Sequence, residues 1–286
     1  MGSSGRPPVK DVHNLNAAAL PRKIVGVFAH PDDEALLAGG TLARYVAQGV
    51  EAVVLTCTGG EAGESWDPTV DPAHISDVRR EELREACRRL GVQQVELLSY
   101  EDSGIPAQGR PGSLVAAPIA AVAAEIREVL ARHDPDVVIT HDATGGYGHP
   151  DHIRTSEATT FAAHGLMRRP LVYHAVIPER VVDEFQQAFA AAGLRAGRAA
   201  AAGADMERDV GVPDDAVTVT IDVSAHVRTK RSAVSAHRTQ MTGHVLFRLP
   251  WPVLARLWSE EHFLLSGSVS IGAVTTDLFA PRAREE

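Results

Sequence analysis

Two apolar runs of strand length, each followed by His-Pro-Asp and then by a helical pattern, constrain this chain more than any other feature. The first, Lys23-Ile24-Val25-Gly26-Val27-Phe28-Ala29, leads directly into His30-Pro31-Asp32-Asp33-Glu34. The second, Asp136-Val137-Val138-Ile139-Thr140, is followed across the glycine-rich stretch Gly145-Gly146-Tyr147-Gly148 by His149-Pro150-Asp151-His152. Continuous apolar strands are those buried on both faces, the condition of a parallel sheet. Parallel neighbours need a crossover, and the segments between the apolar runs read as helices. Leu36, Gly39, Leu42, Ala43 and Val46 recur at helical spacing before Gly49, and Leu83, Ala86, Cys87 and Leu90 do so before Gly91. Ile119, Val122, Ile126, Val129 and Leu130 share a third helical face. Further strands are expected over 51–57, 95–99 and 171–177.

The expected fold class is therefore α/β, a Rossmann-like, mainly parallel sheet flanked by helices. Residues 1–21, beginning Met1-Gly2-Ser3-Ser4-Gly5, read as a tag-like N-terminus, and 22–170 as the α/β catalytic core. Beyond 170 the pattern loosens. Ala188 to Ala204 is alanine-rich, Ala216 to Val223 alternates like an exposed strand, and Ser224 to His237 is helical. Residues 171–286 are expected to form a smaller C-terminal α+β segment completing the pocket.

A formal net charge of -9 over 286 residues argues against a nucleic-acid partner, which calls for a basic face. No apolar run reaches membrane-spanning length, and no signal-peptide core opens the chain. Cys57 and Cys87 form neither a disulfide framework nor a Cys-x-x-Cys pair, so a cytoplasmic setting is expected and thiolate zinc sites are excluded.

The two motifs supply the residue types of an open metal site. Catalytic zinc takes three nitrogen or oxygen ligands and keeps one position for water. His30 and Asp33, three apart at a helix start, fall on one face, and His152 completes the set from the neighbouring loop. Ferrous iron accepts the same donors. Asp32, beside the metal water, is then the general base, and His149 a cation that stabilises the oxyanion and protonates the departing amine. Asp151 is placed to hold the His149 ring, and Glu34 to start the helix or support the site. Either motif alone reads equally well as a turn whose Asp caps a helix or favours its macrodipole. Their pairing behind two parallel strands favours metal. His13, His133, His164, His174, His226 and His262 read as surface or core positions.

The strings Ala29–Glu34 and Gly146–His152 resemble the PIG-L/LmbE family of zinc-dependent N-deacetylases, most closely the branch acting on N-acetylglucosaminyl-inositol and mycothiol conjugates. Arg79-Arg80-Glu81-Glu82-Leu83, Asp102-Ser103-Gly104 and Ala236-His237-Arg238-Thr239-Gln240 extend the resemblance over roughly residues 22 to 245. It implies the same zinc ligands, base and acid, and adds roles that the residues alone do not give. Arg79, with Arg80 as its rival, would bind a polar headgroup, Asp102 would meet sugar hydroxyls, and Tyr147 would donate to the oxyanion. His237 is expected to approach the substrate from the C-terminal segment. The implied activity is removal of an N-acetyl group from an N-acetylglucosamine-type sugar, a small-molecule partner, releasing acetate. An amidase on a larger conjugate or natural-product glycoside stays open, as does a non-catalytic metal- or sugar-binding protein. A nucleotide-binding Rossmann domain is disfavoured, because His-Pro-Asp-Asp-Glu occupies the turn where its glycines would stand. The short loop 60–77 and the segment after Gln240, with Trp251, Trp258 and His262, depart from the family pattern; both would shape the pocket mouth.

Overall fold

The computed structural model describes residues 22–63, 65–105, 109–197, 210–267 and 274–280. The tag-like N-terminus, Pro106 and the end of the alanine-rich stretch lie outside them. Seven strands form one sheet in the order β3-β2-β1-β4-β5-β7-β6. β1 (Lys23–Phe28), β2 (Glu51–Thr58), β3 (Gln94–Tyr100), β4 (Val137–His141) and β5 (Leu171–Val176) run parallel. β6 (Val219–Asp222) and β7 (Glu260–Leu265) add an antiparallel edge, β7 pairing both β5 and β6. The fold class is thus α/β, and the sheet passes position 170 without a break.

Side-chain alternation sorts the strand residues between two cores. Ile24, Phe28, Val54 and Ile139 join the core covered by α1 (Asp33–Ala47) and α2 (Ile75–Leu90). Val25, Val27, Leu55 and Val138 join the one covered by α3 (Ile119–His133) and α5 (Pro150–His164). The one-turn α4 (Gly145–Gly148) precedes α5; α6 (Glu179–Ala191), α7 (Val227–Val234), α8 (Arg238–Met241) and α9 (Trp251–Leu257) complete the first layer. Val219 and Ile221 are buried, so the strand expected over 216–223 is an edge with a covered face.

The strand order places β1 beside β4, with Ile24 opposite Val137 and Val27 opposite Thr140. Helices leave these two strands for opposite faces of the sheet, so a crevice opens at their carboxyl ends. Both His-Pro-Asp motifs begin there, which brings residues more than a hundred positions apart into contact.

One tie crosses from the antiparallel edge into the first helix. The Glu261 carboxylate accepts the N–H groups of Gly40 at 2.9 Å and Thr41 at 2.7 Å, in the middle of α1. A Cβ on Gly40 would lie 2.7 Å from Val223 Cβ and 3.0 Å from Glu261 Oε1, so the glycine permits this approach. Lys230 on α7 neutralises the carboxylate, its Nζ lying 2.7 Å from Glu261 Oε1.

Candidate active site

The two motifs converge on one buried point. His30 Nδ1 lies 3.2 Å from His152 Nε2. Asp33 closes the triangle, Oδ1 at 3.4 Å from His152 Nε2 and Oδ2 at 3.6 Å from His30 Nδ1. A tetrahedral ion with bonds of about 2.0–2.1 Å places its ligand atoms about 3.3 Å apart, and the two ring nitrogens, with one Asp33 oxygen turned to each, lie close to that spacing. The far sides of the rings agree. His152 Nδ1 lies 3.2 Å from the Gly145 carbonyl, to which it can donate, freeing Nε2. His30 Nε2 faces Asp151 Oδ2 at 3.3 Å and Asp102 Oδ1 at 3.6 Å, leaving Nδ1 as the ligand atom.

Other groupings of close ligand atoms keep two of these residues and bring in His141 in place of His30 or His149 in place of Asp33, and a further one joins His30 to Asp102 and Asp151 on the other side of its ring. Hydrogen bonding disfavours His141 and His149. His141 Nε2 accepts the Ala29 N–H at 3.0 Å, and His149 Nδ1 accepts the Asp151 N–H at 3.2 Å as the N-cap of α5.

The electrostatics suit a cation. Burial alone would lower the His30 pKa, but Asp102, Asp151 and Asp33 reverse the sign and lift it well above that of ordinary imidazole. Burial pushes Asp33 up, yet His152 and His141 outweigh it and hold the carboxyl well below the usual range. Burial raises Asp32 to about 6, with the like charge of Asp33 adding and Arg79 opposing. Asp32 occupies the turn into α1 at φ 122, a conformation that costs a non-glycine residue energy and that surrounding contacts must enforce. Those contacts are the Glu34 carboxylate on its N–H at 3.0 Å and the Arg79 guanidinium at 3.2 Å.

Several side chains are placed differently from the sequence reading. The Asp151 carboxylate meets His30 and the Ser103 N–H (2.8 Å) rather than His149; it is the backbone of Asp151 that holds the His149 ring. Burial, with the positive His30 adding, pushes His149 down to about 3, so it is a neutral ring with its proton on Nε2 rather than a standing cation. Arg79 is 3% exposed, with Nη1 on the Gly60 carbonyl and Nη2 shared between the Pro31 carbonyl and Asp32, so both terminal nitrogens are engaged within the protein. His237 is fully enclosed at 0% exposure, with Nε2 on Glu34 Oε1 at 2.7 Å, and supports Glu34 instead of reaching a substrate. The Glu82 carboxylate takes both Thr239 N–H and Thr239 Oγ1–H, at 3.0 and 2.6 Å. The strings around 79–83 and 236–240 thus brace the first motif from behind. Asp102 faces His30 and accepts the Gly104 N–H at 2.8 Å. Tyr147, between glycines at positive φ, stands 5.4 Å ring to ring from His152 and lines a cavity of about 400 Å³ with Asp33, His141 and Leu37.

Sequence reasoning missed His141. Its ring stacks on His152 at 4.0 Å, and Nε2 lies 3.4 Å from Asp33 Oδ2. Its place as the last residue of β4, at the crevice, is the signal that could have found it. His141→Phe keeps a stacking ring but removes the acceptor for Ala29 and the neighbour of Asp33. Metal affinity, measured by chelator competition, is expected to fall about 10- to 100-fold. An unchanged affinity makes His141 a packing residue only.

Residues 25–163 match the family model described as PIG-L, GlcNAc-PI de-N-acetylase. A 1D-myo-inositol 2-acetamido-2-deoxy-alpha-D-glucopyranoside deacetylase of Actinosynnema mirum is 36% identical over 279 residues, covering 91% of this chain and 96% of the relative. The chain belongs to the PIG-L family. An enzyme of the same name from Kineococcus radiotolerans is 37% identical over 315 residues, covering 94% of this chain and 86% of its own length. The PIG-L fold recurs in the N,N'-diacetylchitobiose deacetylase of Pyrococcus horikoshii, with a TM-score of 0.57 at 20% identity, covering 85% of this chain and 83% of that one. Among the described residues no helix is long and apolar enough to cross a membrane.

Proposed function

We propose that this protein is a metal-dependent amide hydrolase that removes the N-acetyl group from an N-acetylglucosamine-type sugar such as N-acetylglucosaminyl-inositol. The observation carrying this reading is the triangle of His30 Nδ1, Asp33 and His152 Nε2 at tetrahedral spacing, with a carboxylate of raised pKa, Asp32, next to it in the chain. The names of the curated relatives support the substrate class.

His30, Asp33 and His152 would hold the ion. Zn²⁺, or Fe²⁺ with the same donors, would supply a Lewis acid there for the amide carbonyl and would lower the pKa of a nearby water towards about 7. Asp32 accepts the proton that this water gives up, and a carboxyl near 6 is matched to that task at neutral pH. Neutral His149 offers its Nε2–H, and Tyr147 its O–H, to oxygen charge developing on the substrate. The proton held on Asp32 is available to the departing nitrogen, so acetate and the free amine leave in balance. Asp102 and Asp151 orient His30, and Arg79 holds Asp32 in place. Cys57 and Cys87, both free and buried, suit a reducing, cytosolic setting.

The direct test is acetate release from N-acetylglucosaminyl-inositol and from free N-acetylglucosamine, with and without a chelator. Release abolished by chelation and restored by Zn²⁺ or by anaerobic Fe²⁺ is expected. Protein that binds one ion yet frees no acetate from any amino sugar supports a binding role instead.

A further inference from the structure

A second cleft, of about 510 Å³, opens beside the catalytic cavity. The two share Leu37 and Ile177, and Leu37 lies one helical turn beyond the ligand Asp33 on α1. The walls are Leu36 and Leu37 from α1, Val181 and Phe185 from α6, and Leu257 and Trp258 from the end of α9. Leu36, Leu37, Ile177 and Val181 are only partly buried, so four aliphatic side chains remain partly exposed around one recess. Exposed apolar surface concentrated beside a polar catalytic centre marks a ligand surface.

We infer that this cleft seats an alkyl or aryl group carried by the substrate, an inference that rests on the N-deacetylase reading. The polar groups at its floor are mutually satisfied. Lys230 and Glu261 form an ion pair, and the Glu261 oxygens also take two α1 N–H groups. His262 shares Thr220 Oγ1 at 3.0 Å, and burial, with Arg180 and Lys230 adding, pushes its pKa down to about 4, so the ring is neutral. At the mouth the Glu260 carboxylate is half exposed and lies 3.7 Å from the Arg180 guanidinium, so the cleft offers shape and apolar contact with its charges paired. Its far wall comes from the segment after Gln240, where the sequence departs from the family pattern. A two-carbon acetyl group is too short to use such a recess, whereas a longer N-acyl chain or an apolar aglycone fills it. The shared wall at Leu37 and Ile177 places that group within one side chain of the metal ligands.

Two arms separate the sources of the apolar group. Binding is read by calorimetry on metal-loaded Asp32→Asn protein, which limits turnover. One arm compares N-hexanoylglucosamine with N-acetylglucosamine, the other phenyl with methyl N-acetylglucosaminide. In one arm the apolar ligand is expected to bind at least about tenfold tighter, the discrimination that added methylenes give in an apolar pocket. Val181→Trp, which fills the cleft from α6 away from the metal, is expected to abolish that gap and leave N-acetylglucosamine binding unchanged. Leu36→Phe narrows the opposite wall and replaces it should Val181→Trp not fold. Equal binding in both arms, or a gap that survives either filled variant, overturns the proposal. Product release by the parent enzyme is scored separately. A gap without turnover defeats the catalytic reading and leaves the cleft assignment standing, while turnover without a gap does the reverse.

Discussion

Asp32→Asn is expected to lower kcat by about 10²- to 10⁴-fold while the protein keeps its full complement of metal, because a general base contributes on that scale and Asp32 supplies no ligand atom. Asparagine is the least disruptive replacement available. It keeps the side-chain length and an oxygen for Arg79, and it tolerates positive φ better than most residues, which matters at φ 122. It cannot take up a proton at neutral pH. Metal content by elemental analysis and the thermal midpoint should match the parent, and only turnover should collapse. Full activity with metal bound would remove Asp32 from the base role.

The second large effect is on stability. Lys230 and Glu261 are each almost wholly enclosed, and Lys230 Nζ also lies 5.4 Å from the centre of the Trp258 ring. Removing one member of a buried pair strands the other charge, a loss of about 3–5 kcal/mol. Lys230→Ala is expected to cost that much in urea unfolding, seen as a lower midpoint at unchanged slope. Lys230→Met, which retains the apolar stem along Trp258, should recover part of the loss. Replacing both partners, Lys230→Met with Glu261→Gln, should cost less than the sum of the single changes, since no isolated charge remains. A loss below about 1 kcal/mol for Lys230→Ala would show that Glu261 is adequately held by the α1 N–H groups alone.

Local signals carried much of the fold. Ile24–Phe28 and Val137–Thr140 announce buried strands because both faces of a parallel strand need apolar residues, and Gly91 ends α2 at φ 80 as a C′ glycine should. The strand order was not local. Whether β7 lies between β5 and β6 depends on which edge has unpaired backbone, and residues 216–223 alone read as an exposed strand. In the site, His30 and Asp33 are neighbours along the chain, so their spacing could be read directly. The Asp151 carboxylate had two imidazoles to choose from, and its partner across 121 positions was decided by the β1–β4 register. Arg79 and His237, which contact Asp32 and Glu34, show why such roles are hard to read: a charged residue near a site looks the same in sequence whether it faces a ligand or holds a carboxylate from behind.

The bond from Glu261 to the middle of α1 also bears on how the protein comes into being. Translation delivers the His30–Glu34 motif early and Glu261 more than two hundred residues later. A growing chain that has emerged only as far as α5 already holds both His-Pro-Asp motifs, yet the helix bearing Asp33 lacks the carboxylate that braces Gly40 and Thr41. The same chain lacks the edge strand that completes the sheet beside β5. The helix that bears Asp33 is therefore braced only once the segment carrying Glu261 has been made and has folded against it.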